Sequence, residues 1–278
     1  MHKTRSIQHT MDLFITLVLW FYFISCSIVF FFLFFIPAYF FAEDRVKAFQ
    51  KLNHIYMKSF FTLIRWLVPR TKFTIQKEIR EIRSSVIICN HLSYLDPILL
   101  ISLLPGLRTI VKSAFFNVPF FGWILNNSGY IPSAQSEMLG PEMIKNLESI
   151  KEHLAAGGNL LIFPEGTRSR DGKLASFNKG VFSIARYCDA PLKLFFVENT
   201  NKLFRPGSFL FNTRDFNEIR LEIIGSLMPD YRSNNSSISA VADEARNLYE
   251  AHTENSSKQN SPMKAKGMKR TARDLLPD

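Results

Sequence analysis

Two short polar stretches of the 278-residue chain carry side chains able to move a proton and to hold an anion. The first is Asn90-His91-Leu92-Ser93-Tyr94-Leu95-Asp96-Pro97. An imidazole titrates near neutrality, so His91 can act as a general base. Asp96, five residues on, can reach the other ring nitrogen, fix the tautomer and stabilise the imidazolium. The plainer reading makes Asp96 only the N-cap of a helix whose first residue is Pro97. Both roles are compatible, because a capped helix start is a rigid platform for a carboxylate. Ser93 lacks the Gly-x-Ser-x-Gly elbow of a serine nucleophile. His153 sits inside a helical pattern, too little for zinc, which needs three or four ligands.

The second stretch is Phe163-Pro164-Glu165-Gly166-Thr167-Arg168-Ser169-Arg170. A glycine turn with one carboxylate and two guanidiniums suits a polyol phosphate, since Arg bonds phosphate oxygens in a planar fork and Glu accepts from a hydroxyl. The alternative is a charged surface turn with an internal Glu–Arg pair.

Each stretch directly follows a short β-rich apolar run. Past residue 70 such runs alternate with helical patterns, the signature of an α/β domain with a mostly parallel sheet flanked by helices. The spacing predicts strands at 84–89, 108–112, 159–163, 192–197 and 220–224, with helices at 97–104, 141–155, 179–188 and 238–252. In open α/β sheets ligands bind beyond the carboxyl ends of the strands, and His91, Lys112, Glu165 and Glu198 each fall at or just past such an end.

Ahead of this domain, residues 13–42 contain no charge and hold ten of the 27 Phe residues. As a helix this run would span roughly 45 Å, and a bilayer crossing needs about 20 residues. It is too long for the core of a secretory signal and lacks its cleavage site, so a membrane-embedded helix is expected, with Ser25, Ser27 and Pro37 as places where it could break and re-enter. Residues 43–70 follow as an amphipathic helix. Val46, Phe49, Leu52, Tyr56, Phe60, Leu63 and Leu67 define its apolar face; Lys47, Lys51, Lys58 and Arg65 lie on another. It either packs on the domain with a solvated polar face or lies in the headgroup region beside anionic lipid. Residues 1–12 read as an N-terminal tail, 71–253 as the catalytic domain and 254–278 as a basic disordered tail. Lys and Arg are more frequent after the apolar run than before it, which places the domain on the cytoplasmic side. Three scattered cysteines agree with a reducing compartment. The net charge of +10 accompanies a membrane segment and a tail, and no nucleic-acid motif is present, so nucleic acid is not an expected partner.

At these residues the sequence resembles the glycerolipid acyltransferases typified by 1-acyl-sn-glycerol-3-phosphate acyltransferase. Residues 90–96 match the family's Asn-His-x-Ser-x-x-Asp box and residues 163–169 its Phe-Pro-Glu-Gly-Thr-Arg-Ser box, at the usual separation. Residues 112–123 (KSAFFNVPFFGW) resemble the block between them, and Phe177-Asn178-Lys179-Gly180 the element after the second box. In the fourth block Ala190-Pro191 keeps the first of two prolines, while Lys193-Leu194 stands where the second is expected. The resemblance implies acyl transfer from acyl-CoA or acyl carrier protein to the sn-2 hydroxyl of lysophosphatidate, giving phosphatidate, without an acyl-enzyme and without a cofactor beyond the donor. It implies His91 and Asp96 as catalytic residues, with Asn90, Ser93, Lys112, Glu165, Gly166, Thr167 and Arg168 binding substrate and no metal. A bacterial plasma or inner membrane, or an endomembrane, is the implied location. Another lysophospholipid or glycerol 3-phosphate as acceptor is the nearest alternative. A non-catalytic lipid-binding protein is a second, opposed by the His91/Asp96 pair.

Overall fold

A computed structural model describes residues 2–133, 141–169, 173–231 and 237–260. Seven strands, β1 (Thr71–Ile75), β2 (Val86–Cys89), β3 (Leu107–Val111), β4 (Ile131–Pro132), β5 (Asn159–Ile162), β6 (Leu192–Glu198) and β7 (Asn217–Leu227), form one sheet in the order β1-β7-β6-β2-β5-β3-β4. β6, β2, β5, β3 and β4 run parallel to one another. β7 pairs antiparallel with β6, and β1 parallel with β7. The mostly parallel α/β architecture expected from the sequence is the one observed.

β2 and β5 are buried at every residue, as a strand covered on both faces requires. Their side chains alternate between two cores. Ile87 and Cys89 pack with Leu161, Phe195 and Val197, whereas Val86 and Ile88 pack with Leu160, Ile162 and Leu194. An N-terminal helical rod, α4 (Arg45–Leu67), α5 (Leu95–Leu103) and α6 (Phe121–Asn127) cover the first face. α7 (Pro141–Ala155), α8 (Gly180–Cys188) and α10 (Ile238–Asn260) cover the second, and the short α9 (Thr200–Leu203) follows β6. Lys193, which stands where the resemblance led to a second proline being expected, lies inside β6 between two ladders, a place where a missing N–H would cost a sheet bond.

The rod consists of α1 (His2–Phe21), α2 (Ser27–Phe30) and α3 (Ile36–Phe41), joined through π-helical turns at Tyr22–Cys26 and Phe31–Phe35. Residues 2–12, expected as a tail, therefore belong to the helix. Wide turns disturb the helical hydrogen-bond ladder, and at the first of them the Tyr56 hydroxyl donates to the carbonyls of Tyr22 at 3.2 Å and Phe23 at 2.9 Å. The backbone turns extended at Ala42. Asp44 then caps α4 by accepting from the Lys47 amide at 2.9 Å, and α4 returns antiparallel, so that Phe35 meets Phe49 and Tyr22 meets Ser59.

The stretch Thr10–Phe41 contains an 18-residue window of mean hydropathy 2.5 and is long and apolar enough to cross a membrane. Its outer face leaves Phe14, Leu17, Phe21, Ile24, Ile28 and Phe32 exposed. Its inner face is tied to the domain. Asp12, 1% exposed, pairs with Arg214 at 2.5 Å and accepts from the Thr213 hydroxyl at 2.5 Å, and Thr16 accepts from the Phe211 amide at 3.0 Å. The rod thus lies along the domain rather than standing clear of it. At the other terminus α10 runs to Asn260, so residues 254–260 of the expected tail are helical. The rest of that tail and Arg170 lie outside the described residues.

Candidate active site

β2 ends at Cys89, and the five residues 90–94 fold back into α5. Asp96 is in the first turn of α5 and 0% exposed. Its Oδ2 accepts from His91 Nδ1 at 2.8 Å and from the amides of Leu92 at 2.6 Å and Ser93 at 2.7 Å; its Oδ1 accepts from the Thr200 hydroxyl at 2.5 Å. A carboxylate only accepts, so Nδ1 of His91 carries a proton, and in the neutral ring Nε2 is the nitrogen with the lone pair. Helix α5 begins at Leu95, two residues earlier than the N-cap reading required, and its cap residue Tyr94 makes no side-chain cap bond. Asp96 therefore ties off the loop ahead of its own helix and orients the imidazole at once.

β5 ends at Ile162, and the segment after it is laced to the first loop. Glu165 Oε1 accepts from the His91 amide at 3.0 Å, and the Ser169 amide donates to the His91 carbonyl at 2.8 Å. Phe163 stacks on the imidazole, ring centres 4.0 Å apart. The turn needs a left-handed residue, supplied by Gly166 with φ +67°, a conformation that costs other residues most. Arg168 lays its guanidinium 3.5 Å over the Tyr94 ring, a cation–π contact that fixes its plane. Its Nη1 is buried with no hydrogen-bond partner among the described residues. A buried, unbonded guanidinium nitrogen is costly and marks where an anionic oxygen would be stabilised.

A family model described as Acyltransferase matches residues 70–220, more than half of the chain. The chain belongs to the acyltransferase family. The chloroplast 1-acyl-sn-glycerol-3-phosphate acyltransferase of Arabidopsis thaliana is 33% identical to this acyltransferase over 124 residues, 45% of this chain and 34% of that protein. The matched stretch thus spans about a third of the chloroplast relative's length. The enzyme of the same name from Helicobacter pylori is 30% identical over 153 residues, 54% of this chain and 62% of that protein. The crystal structure of the 1-acyl-sn-glycerophosphate acyltransferase of Thermotoga maritima shares the fold, with a TM-score of 0.66 at 20% identity over 96% of this chain and all of the other.

The structure of this acyltransferase redistributes several roles expected of its sequence. Asn90 and Ser93 were expected to touch substrate, yet both are buried. The Asn90 amide donates to the Val197 carbonyl at 2.9 Å and accepts from the Val197 amide at 2.8 Å, clamping the ends of β2 and β6. Ser93 donates to the Phe204 carbonyl at 2.7 Å. Each side-chain polar atom of the two thus has a partner within the protein. Glu165 spends its second oxygen on the Ala175 amide at 3.0 Å and braces the loop from below. Gly166 and Thr167 are exposed at the tip, and Lys112 is exposed at the end of β3, on the same rim as His91 with β5 between. Thr200, Tyr94 and the stacking role of Phe163 escaped sequence reasoning; Thr200 lies 104 residues from the carboxylate it bonds and carried no local signal. Burial, with the Asp96 and Glu165 carboxylates near, pushes the Cys89 thiol well above its usual range, so it is no nucleophile at neutral pH.

Proposed function

We propose that this protein transfers an acyl group from a thioester, acyl-CoA or acyl carrier protein, to the sn-2 hydroxyl of 1-acyl-sn-glycerol 3-phosphate, yielding phosphatidate. The observation that carries this reading is the pairing of His91, oriented by Asp96, with a guanidinium whose buried Nη1 has no partner. In this mechanism Nε2 of His91 takes the hydroxyl proton as the oxygen attacks the thioester carbonyl. The tetrahedral adduct collapses, the C–S bond breaks, and the imidazolium returns its proton to the leaving sulfur. Base catalysis of this type is typically worth about 10²- to 10⁴-fold.

Arg168 and Lys112 would hold the acceptor phosphate. Direct transfer is favoured over an acyl-enzyme because Ser93 is buried with its hydroxyl bonded to a backbone carbonyl, and Cys89 is buried as a thiol. The exposed apolar face of the rod would seat the domain on a membrane, where a lysolipid can present its headgroup while its chain stays in hydrocarbon. The names of the relatives point to the same acceptor.

The test is an acceptor and donor panel with the purified full chain in mixed micelles: 1-acylglycerol 3-phosphate, 1-acylglycerol, a lysophosphatidylcholine and glycerol 3-phosphate, each with acyl-CoA and acyl carrier protein. Preference for 1-acylglycerol 3-phosphate is expected. Equal or faster use of 1-acylglycerol would overturn the phosphate assignment.

A further inference from the structure

The cationic stripe of α4 plays no part in the reaction above, and it borders a groove of about 420 Å³ between α4 and α5. Lys58 and Arg65 of α4 line it, together with His54 and with Arg80 from the turn after β1; no Asp or Glu does. Lys58, Arg65 and Arg80 form no ion pair among the described residues. His54 lines the groove beside them, with Nδ1 bonded to the Ile101 carbonyl at 2.9 Å. Three cations brought together without a counter-charge repel one another unless an anion sits among them.

The position of the groove selects the anion. At 100° per residue around α4, Tyr56, Ser59 and Phe60 face the apolar rod. Next come Ile55 and Trp66, exposed at 44% and 84%, then Lys58 and Arg65, then His54 on the α5 side. Apolar rod, aromatic edge and cations therefore succeed one another across one surface. A bilayer orders its hydrocarbon, interface and phosphates in the same way.

We infer that the groove formed by Lys58, Arg65, Arg80 and His54 is a binding site for the headgroup phosphate of an anionic phospholipid, separate from the acceptor site at Arg168. Its occupancy does not depend on acyl transfer, so the test reads binding.

The full chain in neutral-detergent micelles is titrated with phosphatidylglycerol, phosphatidylcholine or inorganic phosphate, and its unfolding temperature followed. Ligand bound to the folded state alone raises that temperature. Phosphatidylglycerol is expected to raise it saturably, and the other two to leave it unchanged. The variant Lys58→Ala/Arg65→Ala/Arg80→Ala should need about tenfold more phosphatidylglycerol or lose the response. Lys145→Ala/Lys151→Ala/Arg186→Ala, which removes the same charge from the opposite layer, should respond as the native chain does. A full response in the first variant, an equal loss in the second, no response in the native chain, or saturation by inorganic phosphate in the same range would each overturn the assignment.

Discussion

The two loops at the rim of the sheet are built to opposite rules. In the His91 loop the polar groups are spent on the protein itself: Asp96 accepts four hydrogen bonds, Asn90 clamps two strands, and Ser93 closes on the Phe204 carbonyl. In the Arg168 loop the backbone is just as firmly laced, but the charged head above Tyr94 keeps a buried nitrogen unbonded. In the proposed reaction the first loop moves the proton, and the second leaves a buried guanidinium nitrogen for an anionic ligand. Leaving a charged group without a partner costs stability, and among these two loops that cost falls on the Arg168 loop.

The largest effect that would sharpen this contrast comes from Asp96→Asn. The amide oxygen can keep the bonds to Leu92, Ser93 and His91 while the amide NH₂ faces Thr200, so the loop stays folded and only the charge that stabilises the imidazolium is lost. A fall in kcat of about 10²- to 10⁴-fold is expected with an unchanged melting temperature. Arg168→Ala comes next, with kcat/KM for a phosphate-bearing acceptor down by roughly ten- to a hundred-fold. Arg168→Lys should recover only part of this, because Lys keeps the charge but not the fork. A neutral acceptor should be affected far less by either change, and equal losses on both acceptors would erase the distinction between the loops.

A smaller effect is expected from Glu165→Gln, which keeps an acceptor for the His91 amide, loses the one for the Ala175 amide and should lower kcat only several-fold. His153 tests a region outside both loops. Burial and the nearby Arg108 push its pKa down to about 4, and the neutral ring sits at the Gly106 and Asn159 carbonyls at 3.1 and 3.3 Å. The unfolded chain therefore binds this proton first. Stability from His153 is complete above about pH 6.5 and is lost as the pH falls toward 4, by roughly 3 kcal/mol at most. In His153→Gln this component of the pH dependence of the melting temperature should vanish while acyl transfer persists.

Much of the fold was legible because β2 and β5 are continuous apolar runs and the long helices keep their period. β1 and β4 were not. β1 buries one residue in five and β4 has two residues, so neither displays a strand pattern. The first wide turn in the rod contains Ser25, one of the positions where a break was expected, but the second, Phe31–Phe35, left no mark, since a uniformly apolar run has no periodicity to interrupt. At the site, the base and its orienting acid could be read from five-residue spacing, a local property. What Asn90, Ser93 and Glu165 do could not, because their partners (Val197, Phe204 and the His91 amide) are set by strand order and lie 74 to 111 residues away.

The most direct measurement is the turnover of 1-acyl-sn-glycerol 3-phosphate by His91→Ala, made alongside its recovery with vesicles. Loss of transfer by about 10³-fold or more, with vesicle binding as in the native chain, is the expected result. Near-native turnover by this variant would contradict the assignment of His91 as the base.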